Sequence, residues 1–248
     1  MKLICSTLTA ISLFSSQALG APVYNTNSTE ELQTAVSGDV FGWSHPTFPE
    51  LYHTCNDTNV RMLNAALKDS VEVSAYAKQR LLKYGVDDVY YTRWFGNGSI
   101  FTVMGVFDQL VEASKNDLLL RCDDIDGLCA AHPDTYPGYH RTSAPSETVI
   151  CDYFYTSKKP LSSICFDGSI VDVGPKHYAG IDLLHRYLHI AAMNQREVSE
   201  LVEELNEIVA YAADNATYAV KNTDNYLHYM ADVYSSSVVA GGCLGNLS

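Results

Sequence analysis

The spacing of apolar positions predicts two long amphipathic helices. Over residues 57–84 and again over residues 196–213, apolar side chains recur three or four residues apart, which places them on one face of a helix. These positions are Leu63, Leu67 and Val71 in the first stretch, and Val198, Leu201, Val202, Leu205, Ile208 and Val209 in the second. Asp57 or Thr58 is suited to cap the start of the first helix, and Gly85 is suited to end it.

Shorter patterns complete a mainly helical chain with a small sheet. Further helices are expected over residues 101–115, 178–192 and 223–235, and extended segments over residues 89–95, 118–121, 148–155 and 170–173. Residues 122–147 are rich in Gly, Pro and Asp without periodicity, so we expect a long loop there that Cys122 and Cys129 can pin. We therefore expect a mainly helical α+β fold, with an irregular arm over residues 21–50 and one domain over residues 51–248.

The start of the chain predicts a secretory signal peptide over residues 1–20. Lys2 precedes an apolar run over residues 3–14, and small residues lead to a cleavage site after Gly20. This run is too short to cross a bilayer, and no later run approaches 18 apolar residues, so no membrane span is expected. We therefore expect a secreted protein, located outside the cell or in the cell wall.

Cysteines, glycosylation sequons and charge agree with export. The chain has 7 cysteines, and Cys5 leaves with the leader, so an even set remains and predicts three disulfides among fifteen possible pairings. Asn-x-Ser/Thr sequons begin at Asn27, Asn56, Asn97, Asn215 and Asn246. The formal net charge is −13 at pH 7, and this scattered acidity disfavours nucleic-acid partners while remaining compatible with cation binding.

His185 and His189 are the strongest candidates for metal ligands. On a helix, side chains four residues apart lie one turn apart on the same face, so both imidazoles can reach one ion. In a chain with 8 histidines the same spacing also fits a pair of core histidines. A catalytic zinc ion takes three protein ligands. Asp224, at the start of a predicted helix, is the candidate third ligand, and His228 and His177 are its rivals.

The order of motifs resembles the deuterolysin (aspzincin) zinc endopeptidases and, more closely, their fungal HRXXH relatives. The matching segments are Arg93-Trp94-Phe95-Gly96, Arg121 to Cys129, Cys151 to Cys165, His185-Arg186-Tyr187-Leu188-His189 and Asn222-Thr223-Asp224-Asn225-Tyr226, within residues 45–243. Those relatives include a zinc-regulated secreted yeast protein, a pH-regulated antigen that scavenges zinc and a mould allergen. The resemblance implies a zincin-like fold, a Zn²⁺ ion held by His185, His189 and Asp224, and disulfides Cys55–Cys122, Cys129–Cys151 and Cys165–Cys243.

Arg186 stands where zinc peptidases of the His-Glu-x-x-His type carry their general base. A guanidinium with a pKa above about 12 accepts no proton, and a fixed cation near the metal repels Zn²⁺ unless it points away. We therefore expect feeble hydrolysis, and we expect Arg186→Glu to raise it if the rest of the cleft survives. Asp182 is a candidate surface partner for Arg186, a substitute base or a group that orients His185. Tyr226 and Tyr229 are candidates for stabilising an oxyanion.

The favoured interpretation is a secreted zinc-binding glycoprotein on a metallopeptidase-like scaffold. It would capture zinc or act in a zinc-deficiency response at the fungal cell surface, with a zinc transporter or a cell-wall component as partner. The alternatives are a zinc endopeptidase with a non-standard base and a structural cell-wall glycoprotein in which zinc stabilises the fold. Whether the chain is an enzyme stays open at this point. Zinc-scavenging relatives often carry a His/Cys-rich tail, and residues 241–248 lack one, so we expect a single intrinsic site.

Overall fold

The computed structural model describes residues 46–195 and 197–247. The expected leader over residues 1–20, most of the expected arm over residues 21–50 and the sequon at Asn27 lie outside the described residues. Within them, most elements are helices and four short strands form one sheet, which confirms the expected mainly helical α+β class. None of the described helices is both long enough and apolar enough to cross a membrane.

The elements follow one another with short connections. The helices are α1 (Asp57–Tyr84), α2 (Val89–Phe95), α3 (Ile100–Glu112), α4 (Leu128–Ala131), α5 (Asp152–Ser157), α6 (Ile170–Val173), α7 (Ala179–His189), α8 (Ala191–Asn194), α9 (Leu205–Asp214), α10 (Ala216–Ala219) and α11 (Thr223–Val238). The strands are β1 (Glu50–Leu51), β2 (Leu119–Arg121), β3 (Gly138–His140) and β4 (Glu147–Ile150). Single 3₁₀ turns cover Gly85–Asp87, Leu161–Ser163 and Pro175–His177.

The sheet has the order β1-β2-β4-β3, so β3 lies at one edge. Strands β1, β2 and β4 are parallel, whereas β3 pairs antiparallel to β4 with Tyr139 opposite Val149. The helical core lies where α1 packs against α3, α7 and α11. Trp94, Tyr226 and Tyr229 are fully buried within it. This core is the scaffold on which the candidate site is built.

Helix α1 has the bounds that the sequence predicts, with a different cap. The side-chain oxygen of Asn56 accepts hydrogen bonds from the backbone N–H groups of Thr58 and Asn59, each at 2.9 Å. Asn56 is therefore the N-cap, one residue before the expected Asp57. Gly85 ends the helix with a φ of 64°, in the left-handed region that glycine adopts without strain.

Three predicted extended segments are wholly or partly helical instead. Residues 89–95 form α2, because Tyr91, Trp94 and Phe95 follow at helical spacing and all three enter the core. Residues 170–173 form the single turn α6, which begins after the capping side chain of Ser169. The strand expected over residues 148–155 ends at Ile150, and α5 follows it. Residue composition suggested strands at these places, and for α2 the burial of one apolar face explains the helix instead.

Disulfides join segments that are well separated along the chain. They join Cys55 to Cys122, Cys129 to Cys151 and Cys165 to Cys243, which are the pairs that the resemblance implies. The expected long loop over residues 122–147 contains α4 and β3, and its two cysteines bond outward to other segments. Bridges of this kind typically stabilise a fold by about 2–4 kcal/mol each.

Candidate metal centre

Helix α7 carries the two histidines and packs directly on α1. Ile181, Leu184 and Leu188 follow at three- and four-residue spacing and are buried, so this face of α7 lies in the core. Gly180 lets the start of α7 approach α1 closely, because a Cβ there would lie 2.6 Å from the Cβ of Asp69. This packing fixes the rotation of α7 and thereby the direction of its imidazoles.

His185 and His189, the imidazole pair, converge as their spacing predicts. Their Nε2 atoms are 2.8 Å apart and their rings are inclined at 72°. The two side chains are 16% and 32% exposed, so an ion can reach them from solvent. Burial, with the charge of the neighbouring His185, lowers the pKa of His189 to about 4. The neutral imidazole that this favours is the form that binds zinc.

Glu200 is a carboxylate at the site that sequence reasoning missed. Its Oε1 lies 3.0 Å from Nε2 of His185, and its Oε2 lies 3.6 Å from Nε2 of His189. These three side chains form a group whose candidate ligand atoms all lie within 4.8 Å of one another. The hydrogen bond with His185 lowers the pKa of Glu200 to about 2 despite burial. The imidazole pair therefore faces an ionised carboxylate.

The predicted helix over residues 196–213 concealed Glu200, since the structure begins α9 only at Leu205. The segment before it is irregular, and Ser199 forms a parallel bridge with Asn222. The side-chain oxygen of Asn222 accepts N–H bonds from Leu201 and Val202 at 2.9 and 3.1 Å. Asn222, at the start of the Asn-Thr-Asp-Asn-Tyr motif, therefore holds in place the segment that presents Glu200.

Asp224 lies beside the imidazole pair in a second acidic group. It lies together with Glu200 and Glu203, rather than with both imidazoles, in a group of candidate ligand atoms within 4.8 Å of one another. Asp224 is only 1% exposed, its Oδ1 is 3.2 Å from Nζ of Lys176, and its Oδ2 has no hydrogen-bond partner among the described residues. Burial raises its pKa against the pull of Lys176.

These side chains fit a zinc ion. A buried carboxylate oxygen without a partner carries a desolvation cost that a cation would relieve. Two imidazole nitrogens and one or two carboxylate oxygens also match the ligand types that zinc takes in proteins. Of the three ligands that the resemblance implies, His185 and His189 lie together with Glu200, and Asp224 lies in a second group that shares Glu200.

The rival histidines have other partners. Nδ1 of His228 lies 2.9 Å from the backbone oxygen of Asp224, and its ring packs 4.8 Å from the Trp94 ring. Nε2 of His177 lies 3.0 Å from a carboxylate oxygen of Asp167. Among the described residues, neither histidine belongs to a group of candidate ligands with the imidazole pair.

Arg186 and Asp182 pair as expected, but inside the protein instead of on its surface. Nη2 and Nε of Arg186 lie 2.8 and 2.9 Å from Oδ2 of Asp182, and the two side chains are 8% and 2% exposed. Lys158 binds the other oxygen at 3.0 Å. Although burial alone would raise the pKa of Asp182, Arg186 and Lys158 hold it below its usual value. With both oxygens engaged by cations, Asp182 does not support the expected role of substitute base.

The two candidate tyrosines are parts of the core. Tyr226 and Tyr229 are fully buried. The hydroxyl of Tyr226 donates to the backbone oxygen of Val220 at 2.7 Å, and that of Tyr229 donates to Ala77 at 3.5 Å. Because both hydroxyls are engaged with carbonyls in the core, the structure does not support the expected oxyanion role.

The mainly helical fold, with paired histidines on α7, resembles that of a solved zinc peptidase. A zinc peptidase from Grifola frondosa superposes with a TM-score of 0.52, covering 72% of this chain and 97% of that chain at 16% identity, which is a likeness of fold. The model of the family described as "HRXXH: Putative peptidase family" matches residues 1–246, and the chain belongs to this family.

Two fungal relatives have similar sequences over most of the chain. Protein ZPS1 of Saccharomyces cerevisiae is 71% identical over 234 residues, covering 94% of each protein. Major allergen Asp f 2 of Aspergillus fumigatus is 30% identical over 239 residues, covering 92% of this chain and 76% of the allergen. The chain is therefore similar to these fungal proteins over nearly its whole length.

Proposed function

We propose that this protein binds one zinc ion through the imidazole pair and the carboxylates of Asp224 and Glu200. The observation that carries the proposal is the position of Glu200, which lies within hydrogen-bonding distance of His185 and 3.6 Å from Nε2 of His189. A site with four protein ligands is closed, which is typical of zinc held rather than used in catalysis. When bound, the ion would supply positive charge to a cluster of buried and half-buried acids.

The proposed biological role is capture of zinc outside the cell, or a zinc-deficiency response at the fungal cell surface. Three disulfides are typical of proteins made in an oxidising compartment. The described sequons support this placement, because Asn56, Asn97, Asn215 and Asn246 are all exposed. A cell-surface zinc transporter or a wall component would then be the recipient of the ion.

A zinc endopeptidase with a relocated base is the second candidate. The same observation favours it, because a carboxylate beside the imidazole pair can also take a proton from water, the task that Arg186 cannot perform. In this alternative Glu200 orients water while Asp224 serves as the third ligand. The two candidates therefore differ in the role of a single side chain.

Elemental analysis of purified protein tests the zinc site. We expect one zinc ion per chain in the wild type and in His177→Ala, a control that removes a histidine bonded elsewhere. We expect His185→Ala and His189→Ala to lose it. Equal zinc in the wild type and His185→Ala would overturn the assignment.

Glu200→Gln separates the two functions. It removes the negative charge but keeps the shape of the side chain. If Glu200 is a ligand, zinc affinity falls and the wild type cleaves unfolded casein feebly at best. If Glu200 is a base, the wild type cleaves casein at ordinary enzyme rates in a chelator-sensitive manner, and Glu200→Gln keeps its zinc while losing that cleavage.

A further inference from the structure

Lys176 occupies the space between the acids that flank the imidazole pair. Its Nζ lies 3.2 Å from Oδ1 of Asp224, 3.3 Å from Oε1 of Glu200 and 2.8 Å from Oε2 of Glu203. The first two acids are the ones assigned above to the zinc ion. The ammonium group thus already interacts with oxygen atoms that the metal requires.

The backbone holds Lys176 in this place. The residue belongs to the single 3₁₀ turn Pro175–His177, directly before α7, and Gly174 enters that turn with a φ of 77°. The backbone oxygen of Lys176 accepts a bond from Nζ of Lys158 at 2.6 Å. Lys158 also binds Asp182 on α7, so the turn and the metal-bearing helix are tied together. The backbone from which the Lys176 side chain extends is therefore held next to α7.

The charge of Lys176 affects how tightly the proposed site binds zinc. A lysine ammonium is a compact point charge, and it compensates the acids when no metal is present. A doubly charged ion bound to the same oxygens is repelled by that ammonium at short range, in a half-buried site where screening is weaker than in water. Either the ion must displace Lys176, or Lys176 must turn toward the remaining acid, Glu203. Both routes lower the affinity for the metal.

We propose that Lys176 is an internal counter-cation that competes with zinc for Glu200 and Asp224, and thereby makes zinc binding weaker and more readily reversible. This inference rests on the proposed zinc site. Lys176 is a positioning residue in this scheme, since it acts on the metal through the two acids. A site weakened in this way gives up its ion to a recipient more easily than a fully compensated site of the same four ligands.

Competition with a chromophoric chelator, using zinc alone as the probe, measures this effect. We expect Lys176→Gln to bind zinc at least about tenfold more tightly, as removal of one unit charge close to the ion predicts, and to release it more slowly. Lys176→Arg keeps the charge and is expected to stay within about threefold of the wild type. Lys83→Gln is the matched control, because Lys83 is exposed and lies about 20 Å along α1 from Asp69, which Gly180 of α7 approaches closely.

Unchanged or weaker binding by Lys176→Gln would overturn the inference, provided that its circular dichroism matches the wild type. A second measurement uses the unaltered protein. The side-chain Cε resonance of Lys176 is expected to shift when zinc is added to the wild type and to stay in place in His185→Ala. No shift in the zinc-bound wild type would also overturn it. Failure of the zinc site itself looks different, because His185→Ala would then bind as much zinc as the wild type.

Discussion

Arg186→Glu would restore the His-Glu-x-x-His order of zinc peptidases, and the sequence predicts a gain of hydrolysis from it. The structure predicts a loss of stability instead. Arg186 donates from Nε and Nη2 to one oxygen of Asp182, and both side chains are buried. Glutamate in this place would set a second carboxylate against Asp182, with Lys158 left to balance both.

The expected cost is large on the scale of a folded domain. Removing one partner of a buried ion pair typically costs about 3–5 kcal/mol, because the other charge stays buried without compensation. A like charge in the same position adds repulsion to that cost. Total stabilities are about 5–15 kcal/mol, so a loss of roughly 3–5 kcal/mol would take at least about a fifth of the free energy of unfolding from Arg186→Glu.

Urea unfolding followed by far-ultraviolet circular dichroism measures this cost. A chelator in the buffer keeps bound metal from adding to the apparent stability. Arg186→Met removes the cation without adding a carboxylate, so its loss is expected to be smaller. The double variant Asp182→Asn with Arg186→Gln replaces the ion pair by a neutral hydrogen-bonding pair and is expected to lie nearest to the wild type. A stability of Arg186→Glu within about 1 kcal/mol of the wild type, or casein cleavage gained by it, would refute the reasoning.

Three further variants test contacts away from Arg186. Burial raises the pKa of Asp69 to about 6, so its contribution to stability falls as pH rises from about 4 to 6. Asp69→Asn can still accept the hydrogen bond from the backbone N–H of Leu161, so it should flatten this pH dependence and stabilise the protein by about 1–2 kcal/mol at pH 7. Equal pH dependence of the two proteins in urea unfolding would contradict this. Burial lowers the pKa of Lys115 to about 8, so Lys115→Met should stabilise the protein by about 1–2 kcal/mol at pH 6 and by less toward pH 10. A stability difference between the variant and the wild type that does not change with pH would contradict this. Asn222→Ala should lower the free energy of unfolding in urea by about 2–4 kcal/mol, and it should weaken zinc binding because the segment that carries Glu200 is released. Unaltered zinc affinity would show that Asn222 does not position Glu200.

Elements with strong local signals could be predicted from the sequence. Helix α1 has apolar residues at regular helical spacing and a glycine at its end, so its bounds follow from local rules. Helix α11 starts at Thr223 as predicted. The imidazole pair also follows locally, because a four-residue separation on any helix brings His185 and His189 together.

Contacts that join distant segments could not be predicted in this way. Glu200 and Glu203 have the sequence context of surface acids on an amphipathic helix, since apolar residues alternate with them at helical spacing. Their segment leaves the helix because Ser199 pairs with Asn222 and because the Asn222 amide binds the backbone beyond it. Propensity rules weigh neighbours in sequence, and these contacts span about 20 residues, a separation at which tertiary packing overrides local preference.

The sequence raises the objection that the cation at Arg186 repels Zn²⁺, and the charges around the imidazole pair change that objection. The sequence places a repelling cation at Arg186, but Asp182 binds that guanidinium and compensates its charge. Within the part of the chain that the structure describes, Lys176 is a cation that interacts directly with Asp224 and Glu200. In the proposed site, Asp182 therefore balances the charge of Arg186, and Arg186 cannot accept a proton at the usual position of the base. In the proposed site, we expect zinc affinity to depend on Lys176, and we expect hydrolysis to depend on whether Glu200 binds the ion or binds water.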